Sequence, residues 1–358
     1  MFNHDAETAF ILGAGFSAES KLPTTREFAD SLLNPAFVGG LETTITAGLM
    51  EFLQHCFRWK EPQPLPTFED MFTMIDMSAG TGHSLGRSFT PKRLRAIRRM
   101  LIYRLFSILD RRFEYSPNIR KILTASIAKL NLAHFVVLNW DIVLENHVYD
   151  SLTDSTIDYC VDISPWDGMG LPAKSRIIAV TKIHGSSNWV YCDNCRSLFF
   201  EHHGKLALNI RAGLQKADFR LFDEGFTDKQ FDDAVGMKSA LRNCRRCQSA
   251  VGPHIATFSF RKSFRTQGFT SSWLAAEQIL TKAKKWVFLG YSLPDADFEF
   301  KNLLKTCQLK RSDKKKYPKE ITVVTRQNNG VPARFRAFFG TDIHHVVEDG
   351  IAGYAATL

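Results

Sequence analysis

The sequence has no apolar run long enough to cross a bilayer. Its longest, such as 135–138 and 286–289, end after a few residues, where a spanning helix needs about 20. It has no basic leader followed by an apolar segment and a cleavage site at the N-terminus, so secretion is not expected. Cysteine is scarce, at seven of 358 residues. Without an export signal, those cysteines are not expected to form a disulfide framework. No internal repeat and no low-complexity tail is present, which excludes a solenoid and a long disordered arm. The expected location is the cytoplasm, with no membrane attachment.

Charge of one sign is in excess, at a formal net +9, but no recognised nucleic-acid motif accompanies it. Much of the excess is local. Lys92, Arg93, Arg95, Arg98, Arg99, Arg104, Arg111 and Arg112 fall on one predicted helix, and "KRSDKKKYPK" spans 310–319. A solvated helix face and a solvated loop account for these clusters more simply than a nucleic-acid surface. Direct nucleic-acid binding stays a secondary expectation.

Residues 8–12, "TAFIL", read as a buried strand followed by Gly13-Ala14-Gly15, with a helix starting near Ser17. Helical spacing covers 45–59, 68–78, 91–113 and 118–130, interrupted by Pro/Gly-rich breaks at 61–66 and 80–86. Strand-like runs return at 134–139, 176–184, 254–260, 286–292 and 321–325, with helices at 270–285 and 297–308. Alternating strand and helix predicts an α/β fold with a Rossmann-like parallel sheet. The predicted organisation is a Rossmann-like domain from 1–40, 131–190 and 251–358, a helical module at 41–130, and a small cysteine-bearing domain at 191–250.

Two groups of residues carry chemistry. Gly13-Ala14-Gly15-Phe16-Ser17-Ala18 fits a dinucleotide-binding turn between strand and helix, in which glycines permit close approach of a pyrophosphate. Such turns also serve packing alone. Cys192-x-x-Cys195 and Cys244-x-x-Cys247 repeat one spacing at the two ends of an irregular segment. Four thiolates suit tetrahedral zinc, and a closed four-cysteine set leaves no position for substrate. Cys56, Cys160 and Cys307 read as small core residues.

Polar residues also interrupt strand ends. "VVLNWD" places Asn139 and Asp141, and "TKIHGSSNW" places His184, where apolar strands stop. "LGYSLPD" adds Gly290 and Ser292 as candidates for phosphate or ribose contact. Carboxyl ends of parallel strands line the ligand crevice, so these residues predict one site. Each alone reads better as a capping or core residue; their joint placement at two strand ends, with Gly13–Gly15 at a third, favours the site.

The order of these motifs resembles the sirtuin family. Its Gly-Ala-Gly-x-Ser-x-x-Ser-Gly-Ile-Pro-x-Phe-Arg signature is matched by Gly13 through Arg26, which includes Ser17, Ser20 and Pro23. Its Asn-x-Asp is matched by Asn139-Trp140-Asp141, its His-Gly by His184-Gly185, and its Gly-x-Ser by Gly290-Tyr291-Ser292. The resemblance implies NAD as substrate and structural zinc. It assigns catalysis to Asn139, His184 and Asp141, the last receiving the nicotinamide carboxamide. It assigns NAD binding to Gly13, Ala14, Gly15, Ser17, Ser20, Arg26, Gly290, Ser292 and, less directly, Asn328 past "ITVVT".

Departures narrow the expectation. The family's Phe before the Arg is Thr25, the Gly of Ser-Gly-Ile is Lys21, and Thr-Gln before the Asn is Val137-Leu138. The Phe-Gly-Glu that helps bind acylated peptide is missing from "HIATFSFRKSF" at 254–264. The endings "LNWDIVLE" and "GYSLPDADF" are more similar to the sirtuin-like NAD hydrolases of bacterial antiviral defence systems. Hydrolysis of the nicotinamide–ribose bond is therefore expected. The alternatives are an NAD-dependent protein deacylase or a nucleotide-sensing assembly subunit without turnover. No sensor domain is visible, so control by self-assembly into a homo-oligomer, by the helical module, or by a separately encoded partner is expected. An ATPase or a nucleic-acid-sensing protein would suit that last role.

Overall fold

A computed structural model describes residues 7–23, 28, 31–34, 40–129, 134–168, 176–202, 212–235, 243–256, 267–312, 320–326 and 330–358. In chain order the first elements are β1 (Thr8–Leu12), α1 (Ala14–Ala18), α2 (Leu41–Phe57), α3 (Phe68–Thr81), α4 (Pro91–Arg111), α5 (Pro117–Lys129), β2 (His134–Val137) and α6 (Val143–Ser151). Next come β3 (Ser155–Asp158), β4 (Ser164–Pro165), β5 (Arg176–Lys182), β6 (Gly185–Tyr191), β7 (Leu198–Phe200), α7 (Lys216–Phe219), α8 (Asp228–Val235) and β8 (Gly252–Ile255). The last are α9 (Gln267–Lys282), β9 (Lys285–Leu289), α10 (Phe298–Ser312), β10 (Glu320–Val324), α11 (Val331–Phe339), β11 (Ile343–Val347) and α12 (Gly350–Ala356). The chain divides into two compact units. One comprises Met1–Thr24, Arg112–Ser186 and Phe264–Leu358, and the other Thr25–Arg111 and Ser187–Ser263.

The first unit is built on a seven-stranded sheet in the order β11-β10-β9-β1-β2-β5-β3. Every pairing in it is parallel. Every residue of β1 and β2 is buried, as expected for strands covered on both faces, which read as continuous apolar runs. Parallel neighbours need long crossovers, and the intervening helices supply them. Trp286, Phe288, Phe335 and Phe339 lie in a core cluster with ring centroids 4.9–6.5 Å apart. Burying each such ring contributes about 1.5–3 kcal/mol.

Register decides where the strands end. Leu12 pairs with Val137 on one side and Leu289 on the other, and Val137 pairs with Lys182. Strands β9, β1, β2 and β5 therefore stop level; β1 ends where the apolar pattern predicts, and β9, β2 and β5 end two or three residues earlier. The chain leaves the sheet at Gly290, Gly13, Leu138 and Ile183. Sheet order also reverses at β1, with β2 on one side and β9 on the other, so a topological switch point falls beside Gly13.

In the second unit, α2, α3 and α4 lie in sequence before the cysteine-bearing segment, and β7, β6 and β8 form adjacent strands. Lys92 and Arg95 of α4 are exposed, as the sequence suggests, but four of its arginines are not part of a solvated face. Arg104 is 1% exposed; it donates to the Leu32 carbonyl at 2.8 Å and pairs with Glu42 at 2.9 Å. Arg93 pairs with Glu51, Arg98 with Asp76, and Arg99 with Asp218, each at 2.5–2.7 Å. Guanidinium forks matched to carboxylates explain the arginine content of this helix. The acidic partners lie as far away as Asp218, which a local reading of charge cannot register.

Candidate active site

The glycine turn is shaped by backbone packing. Helix α1 starts at Ala14, directly after Gly13 and earlier than the sequence suggests. The Gly13 amide donates to the Leu289 carbonyl at 3.1 Å, and the Gly15 amide to the Gly290 carbonyl at 2.8 Å. A Cβ on Gly290 would lie 2.3 Å from the Gly15 carbonyl carbon, and Gly290 has φ +66°. One on Gly13 would lie 2.6 Å from Tyr291 Cα. Only glycine fits a left-handed residue at such an approach. Two of the amides expected to receive a pyrophosphate are thus directed to carbonyls at and just past the end of β9. Ala14 is exposed at the turn.

Next along the chain, Ser17 is buried and joins the strand ends. Its Oγ donates to Asp141 Oδ2 at 2.7 Å and accepts from Asn139 Nδ2 at 2.8 Å. Asp141 Oδ1 accepts the Val143 amide at 3.1 Å, which ties the loop to the start of α6. An ionised carboxylate only accepts, so the Ser17 hydroxyl proton points to Asp141 and its lone pair to Asn139. That polarity fixes the Asn139 amide with nitrogen toward Ser17, leaving Oδ1 as the group it can offer a ligand.

His184 follows β5 and is 7% exposed. Its Nδ1 lies 3.0 Å from the Leu138 carbonyl. A carbonyl accepts only, so Nδ1 carries a proton, and in the neutral form of the ring Nε2 is the basic nitrogen. Trp273 Nε1 donates to the Ile183 carbonyl at 3.0 Å, pinning the adjoining peptide.

Two supporting features are absent from the sequence reading. Lys182 is fully buried, donates to the Asp141 carbonyl, and pairs with Glu145 at 3.1 Å. Burial pushes the Glu145 carboxyl up, opposed by Lys182. The signal was a lone lysine inside the apolar strand "RIIAVTK". Asp297, within the quoted "LPDADF", sits 4.0 Å from His184 Nε2.

Other predicted residues stand apart from this cluster. Ser20 is buried, and its carbonyl accepts the Glu114 amide at 3.0 Å. Ser292 is exposed, and its carbonyl accepts from Arg334 at 3.0 Å. Lys21 has φ +65°, so the position where the resembled signature carries glycine does take the left-handed conformation. A side chain there costs about 1–2 kcal/mol. Thr25, Arg26 and Asn328 lie outside the described residues.

The four cysteines of the second unit converge. Their sulfurs all lie within 4.8 Å of one another, with Cys192–Cys247 and Cys195–Cys244 both at 3.5 Å. Tetrahedral zinc with bonds of about 2.3 Å sets sulfurs roughly 3.8 Å apart. The two turns share one geometry. The Arg196 and Gln248 amides each donate back to the first cysteine carbonyl at 2.8 Å, with φ of 60° and 63°. The Asn194 amide, at 3.5 Å from Cys247 Sγ, helps bring that thiol down to about 5, while burial pushes Cys192 up to about 12. The donor set fits a structural zinc ion held by Cys192, Cys195, Cys244 and Cys247.

No protein-family model matches this chain, and no curated protein does. Solved sirtuin structures are similar over nearly its whole length. One from work on the structural basis of sirtuin substrate affinity is 12% identical, with 98% of this chain and 91% of that chain covered and a TM-score of 0.43. A Sir2–p53 peptide–NAD+ complex is 12% identical over 98% and 90%, with a TM-score of 0.39. A third, from work on the mechanism and regulation of Sir2 enzymes, is 14% identical over 99% and 90%, at 0.34. Likeness this low in identity and TM-score decides neither the activity nor the role of any residue.

Proposed function

We propose that this chain binds NAD at the carboxyl edge of the parallel sheet and hydrolyses its nicotinamide–ribose bond. The observation that carries the reading is the Asp141–Ser17–Asn139 relay at level strand ends beside the switch point, with His184 bonded to the Leu138 carbonyl next to Asn139. Departure of nicotinamide leaves oxocarbenium character at the ribose carbon, as in other glycosidic cleavages. The electron pair of the broken bond stays on the nicotinamide nitrogen and neutralises the pyridinium.

Asn139 Oδ1 accepts from a ribose hydroxyl or from water, holding either in a fixed direction. His184 Nε2 takes the proton released as water attacks. Asp141 keeps Ser17 and Asn139 oriented, with capacity left to accept from the nicotinamide carboxamide. In this reading the turn of Gly13, Ala14, Gly15 and Gly290 admits the adjoining phosphate by close approach, since the Gly13 and Gly15 amides are already bonded; Ser292, Arg26 and Asn328 keep their assignment from the motifs, and Ser20 is buried away from the ligand. Zinc plays no part in these steps and holds the cysteine-bearing segment.

The missing Phe-Gly-Glu favours hydrolysis over protein deacylation. An active NAD hydrolase depletes its own cell, so the reading includes a gated effector of antiviral defence. Its gate is self-association or a separately encoded ATPase or nucleic-acid sensor. Purified protein is incubated with NAD, with and without an acetylated peptide and with the product of a neighbouring gene. Nicotinamide and ADP-ribose formed without peptide, and lost in His184→Ala, support hydrolysis. Acetylated ADP-ribose formed only with peptide establishes the deacylase. NAD bound but intact in every arm establishes the sensor.

A further inference from the structure

The geometry points to Asp297 as a positioning residue that acts through His184, supplying the negative charge that stabilises the imidazolium once the ring has taken a proton. Asp297 Oδ1 lies 4.0 Å from Nε2. That is beyond hydrogen-bond reach, so the carboxylate acts on the ring as a charge and not as an acceptor. It is within the range where an opposite charge favours the protonated ring. The side chains are only 9% and 14% exposed, so water screens the pair weakly.

Asp297 is held by three hydrogen bonds, one to its carboxylate and two to its backbone. Tyr291 Oη donates to Oδ2 at 3.2 Å, the Asp297 amide donates to the Pro294 carbonyl at 3.3 Å, and its carbonyl accepts the Lys301 amide at 2.9 Å at the start of α10. Tyr291 is buried and packs on the glycine turn, so the carboxylate is referenced to the same backbone as Ser17. On the other side of the ring, Nδ1 is held by the Leu138 carbonyl, and Trp273 of α9 packs 6.5 Å away. Imidazole is thus fixed between a neutral acceptor at Nδ1 and a charge at Nε2.

Among the described residues, the charged groups nearest along these segments include Asp141 after β2, Glu145 on α6, Lys182 at the end of β5, and Asp295 and Lys301 flanking Asp297. Lys182 is matched by Glu145, and Lys301 by Asp295 at 3.2 Å. Asp295 is 90% exposed at its side chain.

The inference rests on the proposed base role of His184, and Asp297→Asn separates the two. Asparagine keeps an acceptor for Tyr291 and removes the charge. His184 is titrated by NMR in the full-length protein, which needs no turnover. With the charge gone the imidazolium loses its counter-ion, and the midpoint moves to lower pH by about one unit. In NAD hydrolysis the acid limb of the kcat/KM profile moves the same way and kcat falls about tenfold. Asp295→Asn, which removes an exposed carboxylate on the same segment, is the control and leaves the midpoint near wild type. A midpoint in Asp297→Asn that moves no further than in Asp295→Asn overturns the inference. Wild type that titrates as expected but never consumes NAD overturns the proposed function and leaves the charge coupling standing.

Discussion

Ser17 shows how much one hydroxyl decides at this site. It has a single proton and gives it to Asp141, so it must accept from Asn139, and the direction of the Asn139 amide follows. Ser17→Ala removes both bonds and leaves the packing of a small side chain nearly unchanged. Asn139 then turns without a reference. We expect kcat for NAD hydrolysis to fall about 10²-fold, the scale of a misplaced reacting group. KM should change little, because ground-state contacts along the phosphates persist. Steady-state kinetics on the folded variant, checked by circular dichroism, tests this. An unchanged kcat removes the relay from the mechanism. The serine was legible in the glycine-rich motif and Asn139 and Asp141 at a strand end, but the bonds between them were not, since they link residues more than a hundred positions apart.

At the scale of elements, β5 is joined to α6 by the buried Lys182–Glu145 pair, and the same ammonium holds the Asp141 carbonyl. A buried ion pair is a poor stabiliser relative to apolar packing, yet breaking one half strands a charge. Lys182→Met should therefore cost about 3–5 kcal/mol in urea unfolding, and Lys182→Met with Glu145→Leu should recover most of it. The pH dependence has a definite sign. Burial raises the folded-state pKa of Glu145 above its unfolded value, and removing Lys182 raises it further. The loss in the single variant is thus greatest at neutral pH and shrinks as acid protonates Glu145. A loss independent of pH contradicts this account. Helix α6 was itself missed in the sequence, because nine residues give too short a window for the helical period to stand out.

Across the whole molecule, the cysteine site lies in one compact unit and the Asn139–His184 cluster in the other. Among the described residues the segment from β6 to β8 carries few long elements, so metal binding there is expected to be coupled to folding. Metal analysis of the purified protein should give about one zinc per chain. Cys192→Ser or a strong chelator should remove it and lower Tm by several degrees. Hydrogen exchange should quicken across 187–202 and 243–256 and change less in β1, β2 and β5. Four reactive thiols in the folded, metal-free protein at unchanged Tm would exclude a zinc site.

The sequence by itself determined what depends on neighbouring residues. Apolar runs specified the central strands, since strands buried on both faces must be apolar at every position. Repeated Cys-x-x-Cys spacing specified the two metal-type turns, and the glycines marked a turn that admits no side chain. Tertiary structure alone decided what depends on register and distant partners. Level endings of β1, β2, β5 and β9 brought Ser17, Asn139, Asp141 and His184 together. Folding paired the arginines of α4 with carboxylates, buried Lys182, and set Asp297 beside His184. Charge and hydrogen bonding act through space, and a linear pattern carries the residue types without their distances.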